Sequence, residues 1–240
     1  MYNFHGEYGI IPACDVTNID SLINLIKETC KLRFIQGYKI GMNMTVIEGA
    51  KTIIKEIRKY SELQIIYDHQ KYGTDIPDMA GGEILEKIKS TGIDAIIIFP
   101  FAGIETLKAT IEGCRRAKLF PIIGGEMTHP GFLVSEGGYI ADDAPLRVYQ
   151  DAASLGVDTF VVPGTKPAKI TAYAQIIGKI ISNPRFLFPG VGKGQGGDIA
   201  EAFKAALPYK CSAIVGRGIY GAKDIKAAAT QLWESASSVL

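Results

Sequence analysis

The chain is poor in the residues that build metal centres and disulfide frameworks. Its four cysteines, Cys14, Cys30, Cys114 and Cys211, are far apart and form no CxxC pair, and the three histidines, His5, His69 and His129, are scattered. That set offers no zinc framework and reads as a reduced, cytoplasmic protein. No apolar run approaches the ~18–20 residues needed to cross a bilayer. The start, MYNFHGEYGI, lacks the basic and apolar regions of a signal peptide. Neither secretion nor membrane insertion is expected. An excess of one charge is also missing: 26 Lys+Arg against 25 Asp+Glu leaves +1. That excludes a broad nucleic-acid footprint, while leaving room for a local phosphate site.

What is present is apolar and glycine-rich: 47% hydrophobic residues and 27 glycines in 240 positions. A chain of this size buries a core without disulfides or a structural metal, and its composition argues against disorder. Short apolar runs recur at 8–14 (YGIIPAC), 37–42 (GYKIGM), 63–68 (LQIIYD), 94–100 (DAIIIFP), 119–125 (LFPIIGG), 157–163 (VDTFVVP), 185–190 (RFLFPG) and 211–216 (CSAIVG). Near-continuous Ile, Val and Phe suits strands buried on both faces of a parallel sheet. The stretches between them carry helical spacing, as in Leu22, Leu25, Ile26 and Thr29, then Ile104, Leu107, Ile111 and Cys114. Ile225, Ala228, Ala229, Leu232 and Ala236 repeat that period near the end. Eight β-then-α units predict a single α/β domain over 1–240, a (β/α)8 TIM barrel, with a doubly wound open sheet as the alternative. The irregular stretch at 129–141 reads as a surface loop or a pocket rim.

Barrel chemistry collects at the carboxyl ends of the strands, and the polar outliers fall there. Asp15 follows the first run, Lys39 interrupts the second and Asp68 closes the third. Lys71 and Asp75 lie in the next connection, and Thr128 lies just past the fifth run. Each has an ordinary reading: a solvated strand-end charge, a snorkelling lysine, a surface ion-pair cluster worth ~0–1 kcal/mol. A lysine buried in YKIGM, however, needs a carboxylate partner. GKGQGGD (192–198) after the seventh run could be a flexible loop. Its position also suits a phosphate cradle of backbone N–H groups, with Arg217 adding a charge-assisted contact from the next loop. His69 and His129 suit loop hydrogen bonding, and Cys14 a small apolar strand position.

Taken in order, CD (14–15), YKIG (38–41), DHQKYGTDI (68–76), EMTHPG (126–131), PGVGKGQGGD (189–198) and VGRGIY (215–220) resemble the orotidine 5′-phosphate decarboxylase family over almost the whole chain. The resemblance implies a cofactor-free, metal-independent carboxy-lyase that makes uridine 5′-phosphate in de novo pyrimidine synthesis. It also implies a homodimer with active sites near the subunit interface. By that similarity Lys39, Asp68, Lys71 and Asp75 form an alternating Lys–Asp–Lys–Asp array in which Lys71 protonates C6. Asp75 and Ile76 would enter the neighbouring subunit's site. Asp15 and Lys39 would contact the ribose side, Thr128 would stand for a pyrimidine-binding serine, and Pro189 would border the base and phosphate pocket. Gln195, Gly216 and Arg217 would hold the phosphate.

The chain departs from the family's D-x-K-x-x-D: it reads Asp68-x-x-Lys71-x-x-x-Asp75, one residue longer in each interval. Met79 stands where members often have threonine, and Lys193 and Gly194 lengthen the phosphate segment. Two rival readings follow. One is a metal-dependent decarboxylase or aldolase of keto-sugar phosphates from the same superfamily; the other is a non-catalytic nucleotide-binding barrel.

Overall fold

Each of the eight apolar runs forms a strand in the structure, a computed structural model that describes residues 4–69, 72–192 and 196–240. The first half runs β1 (Tyr8–Pro12), α1 (Ile19–Thr29), β2 (Gly37–Gly41), α2 (Met42–Glu48) and α3 (Ala50–Arg58). It continues with β3 (Gln64–Asp68), α4 (Pro77–Ala80), α5 (Ile84–Ser90), β4 (Ala95–Ile98) and α6 (Ile104–Ala117). The second half runs β5 (Phe120–Gly124), α7 (Ala144–Ser154), β6 (Thr159–Val161), α8 (Pro167–Ile177) and β7 (Arg185–Phe188). It ends with α9 (Ile199–Ala206), β8 (Lys210–Val215), α10 (Arg217–Tyr220) and α11 (Ile225–Ser237).

The strands are parallel and ordered β1-β8-β7-β6-β5-β4-β3-β2. The ends of that series meet: Ala13 bridges Lys39, and Cys14 N–H donates to the Lys39 carbonyl at 2.8 Å. The sheet therefore nearly closes into a barrel, which decides against the open doubly wound alternative. Side chains alternate in direction along a strand, so Ile11, Ala13, Ile66, Ile97, Phe99, Ile122, Val161, Leu187 and Ile214 fill the interior. Their neighbours pack outward against the helices.

Local chemistry explains the helices. Asn18 caps α1 by accepting from Ser21 N–H at 2.8 Å, and Asp198 and Asp224 do the same for α9 and α11. The anticipated face of α1, Leu22, Leu25, Ile26 and Thr29, is buried. On α6 the periodic face holds except at its first residue: Ile104 is 40% exposed and lines a separate hollow with Phe101, Ala144 and Arg147. On α11 Ile225, Ala229 and Ala236 are buried, while Ala228 and Leu232 are half-buried at the margin of the same face. The irregular 129–141 stretch is a rim, containing one short 3-10 turn at Val134–Glu136 and a bridge between Leu133 and Ile140. Among the described residues no helix is long and apolar enough to cross a membrane.

Candidate active site

A cavity of about 430 Å³ opens at the carboxyl ends of the strands. Its walls bring together Asp15, Lys39, Asp68, Thr128, Pro189, Gly216 and Arg217, from six different strand ends. Lys71 and Gln195 lie outside the described residues.

Lys39 is the centre of the charged wall. It occupies the middle of β2, a strand buried along its whole length. Its Nζ donates to Asp68 Oδ2 at 2.8 Å and to both Asp15 oxygens at 3.4 Å. Gly41, two residues on, makes room for this cluster: a Cβ there would lie 2.8 Å from Asp15 Oδ1. Burial alone would push the Lys39 ammonium down, but the carboxylates of Asp68 and Asp15 together outweigh it and its pKa is raised. The remaining oxygen of Asp68, Oδ1, is buried and has no hydrogen-bond partner among the described residues. A buried carboxylate oxygen of this kind is a place for a second donor.

A raised lysine pKa has a definite sign for stability. The contribution is fully present below the ordinary lysine value of 10.5 and is lost as pH rises through the higher folded value. Lys39→Met is expected to destabilise the protein by ~3–5 kcal/mol near neutrality, since it strands the buried Asp68 carboxylate. Denaturant unfolding of both proteins checks this: the gap between them should narrow as pH passes above 10.5. A gap that stays constant there would mean that Lys39 is not held charged by its neighbours.

Ile97, Phe99, Met127, Val161 and Ile214 supply the apolar part of the cavity's lining. Thr128 leaves β5 into the rim, and Gly190, with a φ of +84°, allows the β7 loop to pass beside it. A Cβ at Gly190 would come within 2.9 Å of Thr128 Cγ2. That loop is pinched at its base, where Gly192 N–H donates to the Gly197 carbonyl at 2.9 Å and Gly197 N–H to the Gly190 carbonyl at 3.0 Å. Arg217 opens α10 just after β8 and lines the same cavity as Thr128.

Asp75 and Ile76, expected to enter the neighbouring subunit's site, lie outside this chain's own cavity. Asp75 and Ile76 are exposed, Ile76 at 62%, and Asp75 lines a separate hollow with Thr74, Asp78 and Met79. Within one chain the structure does not bring Asp75 to Lys39. The two histidines make ring contacts: His69 packs edge-on to Tyr67 and Tyr72, and His129 to Phe132. Cys14 is buried, which pushes its thiol pKa up and away from nucleophilic use.

Glu126 is a wall residue that sequence reasoning passed over. It is buried, lines the cavity, and accepts from Lys166 Nζ at 2.8 Å and from the Tyr173 hydroxyl. A charged residue directly after an apolar run is the signal that flagged Asp68, and EMTHPG carries it too. Its partners sit 40 and 47 residues away, so spacing gave no hint of them.

A nearly closed (β/α)8 barrel whose mouth holds a buried ammonium–carboxylate cluster and an arginine in one cavity has the architecture of an enzyme active site. The comparisons with known proteins agree. The chain belongs to the orotidine 5′-phosphate decarboxylase / HUMPS family, whose model matches residues 9–232. It is 30% identical to the orotidine 5′-phosphate decarboxylase of Thermococcus kodakarensis, covering 98% of this chain and 99% of that protein. With the enzyme of the same name from Methanosarcina mazei it shares 28% identity, covering 96% of each. A crystal structure of the Methanocaldococcus jannaschii orotidine 5′-monophosphate decarboxylase complexed with the inhibitor BMP superposes with a TM-score of 0.79. The two are 27% identical, over 96% of this chain and 99% of that one.

Proposed function

We propose that this chain decarboxylates orotidine 5′-phosphate to uridine 5′-phosphate without a cofactor, as a cytoplasmic homodimer in de novo pyrimidine synthesis. The observation that carries this reading is Lys39, buried between Asp15 and Asp68 in a cavity that also holds Thr128 and Arg217. The names of the relatives point the same way.

The chemistry follows from the charges. When the C6–carboxylate bond breaks, its electron pair stays on C6 as CO2 leaves. The pyrimidine ring offers that vinylic carbanion no ordinary electron sink. Fixed ammonium groups stabilise it with little reorganisation. In this reading Lys71 gives C6 its proton, while Asp68 and Asp75 keep both lysines charged and oriented. Two lysines and two aspartates leave the array neutral before the substrate enters. A pair at ~4 Å contributes about 4 kcal/mol at an effective dielectric of 20, before desolvation. That is enough to hold protonation states, though too little to account for catalysis alone. Repulsion between Asp68 and the departing carboxylate adds a secondary push that vanishes with CO2.

The other residues bind and orient. Thr128 hydrogen-bonds the pyrimidine, Asp15 and Lys39 the ribose, and Pro189 borders the base. Gln195, Gly216 and Arg217 take the phosphate, whose binding energy closes the glycine loop and excludes water.

The rival reading is a metal-dependent enzyme of keto-sugar phosphates, and the donor set separates the two chemistries. A divalent metal needs carboxylates free to ligate it. Here Asp15 and Asp68 are already paired with the Lys39 ammonium, at 3.4 and 2.8 Å. The test is the ultraviolet loss of orotidine 5′-phosphate with purified protein and EDTA present. Turnover to uridine 5′-phosphate is expected. Turnover only of a keto-sugar phosphate, and only with added metal, would overturn the reading. Tight uridine 5′-phosphate binding with no turnover would establish a non-catalytic nucleotide barrel instead.

A further inference from the structure

Thr128 hangs on a rim segment that has no regular structure of its own between Gly124 and the short turn at Val134–Glu136. Something must hold it, and the holding groups lie in the next connection, between β6 and α8. Thr165 Oγ1 donates to the Thr128 carbonyl at 3.0 Å. The adjacent Lys166 Nζ donates to Glu126 Oε1 at 2.8 Å and to Glu136 Oε1 at 2.6 Å. Glu126 is fixed from behind by the Tyr173 hydroxyl, and its own N–H donates to the Tyr149 hydroxyl at 3.1 Å. Tyr149 in turn donates to the Val161 carbonyl at 2.7 Å. At the outer end Glu136 Oε2 accepts from Phe132 N–H at 3.2 Å.

Two consecutive residues thus grip the rim at 126, 128 and 136, on both sides of Thr128. We propose that Lys166 is a positioning residue which, together with Thr165, clamps the Glu126–Glu136 segment so that the Thr128 hydroxyl faces the bound base. Lys166 does its work through Glu126 and Glu136. The lysine is well suited to this: burial pulls its pKa down, but the two glutamates outweigh it and the ammonium is held charged. The same contact lowers the Glu136 pKa.

The inference rests on the nucleotide reading, because it assigns Thr128 to the base. A clamp that only orients a binding group acts on ground state and transition state alike. Lys166→Met is therefore expected to raise KM for orotidine 5′-phosphate about tenfold with kcat changed less than about twofold. Lys166→Arg, which keeps two donors and the charge, should restore most of the loss. Glu136→Ala removes only the outer grip on an exposed turn and guards against a misfolded Lys166→Met; its KM should rise by a smaller factor. A lowered Tm in Lys166→Met with wild-type KM would make the cluster merely structural and overturn the proposal, as would a fall in kcat with KM unchanged. Amide hydrogen exchange separates this from failure of the function itself. Exchange at Phe132 and Leu133 should quicken in Lys166→Met while Ile122 and Ile123 in β5 stay protected, whichever substrate the wild type turns over. Unchanged exchange at Phe132 and Leu133 would sink the clamp by itself.

Discussion

Lys71→Ala is expected to lower kcat for orotidine 5′-phosphate by about four orders of magnitude or more while leaving a folded protein that still binds uridine 5′-phosphate. General acid catalysis accounts for ~10²–10⁴, and loss of a fixed charge at the developing carbanion for ~10²–10³ more. The reason to single out Lys71 is the state of its neighbour. Asp68 spends one oxygen on Lys39 and keeps the other buried, with no partner among the described residues. The described residues on either side of Lys71 are held in place. Asp68 ends β3, and Tyr72 N–H donates to the His69 carbonyl at 2.7 Å. Beyond it, Phe99 N–H donates to the Tyr72 carbonyl at 3.0 Å and the Tyr72 hydroxyl to the Ala80 carbonyl at 2.8 Å. Product affinity by calorimetry, alongside turnover, separates the two roles a lysine could have. Near-normal activity would remove Lys71 from proton donation. Equal loss of turnover and of product binding would make it a binding residue.

The strands were legible because a parallel strand covered by helices has no polar face to disguise it, so all eight appear as apolar runs. The same fact exposes the site. A charge inside or ending such a run, as at Lys39 and Asp68, has no solvated face to occupy and must answer to a partner. Glu126 obeys that rule as well. What sequence could not supply is which distant group answers. Lys39 finds Asp15 and Asp68 at separations of 24 and 29 residues, and Glu126 finds Lys166 at 40. Arg185 shows the limit most clearly. It opens RFLFPG like an ordinary strand-end cation, yet it is buried at the amino end of the barrel. There it donates to the carbonyls of Gly6 and Glu7, 179 and 178 residues away. Those contacts exist only once the barrel closes, so no local window contains them. Chain periodicity also could not tell that Ile104, in the first turn of α6, would stay 40% exposed.

Asp75→Ala and Lys39→Ala should each be inactive alone, and mixing them after co-refolding should restore about a quarter of wild-type activity. The geometry within one chain gives the motive. Asp75 Oδ1 accepts from its own neighbour, Ile76 N–H, at 2.7 Å, and its carbonyl accepts from Thr106 Oγ1 at 2.9 Å. The residue is exposed, and nearby Ile76 and Met79 are 62% and 61% exposed. Packing against a second copy of the chain would cover them. If Asp75 completes the array of a neighbouring subunit, a mixed dimer carries one site with both defects and one with neither. Half of a statistical mixture is mixed, and half of its sites work, which gives the fraction stated. An aspartate acting within its own chain leaves every site in the mixture with one defect, and mixing then restores nothing. Because both variants enter the same refolding, a gain on mixing reports the shared site rather than the stability of either protein.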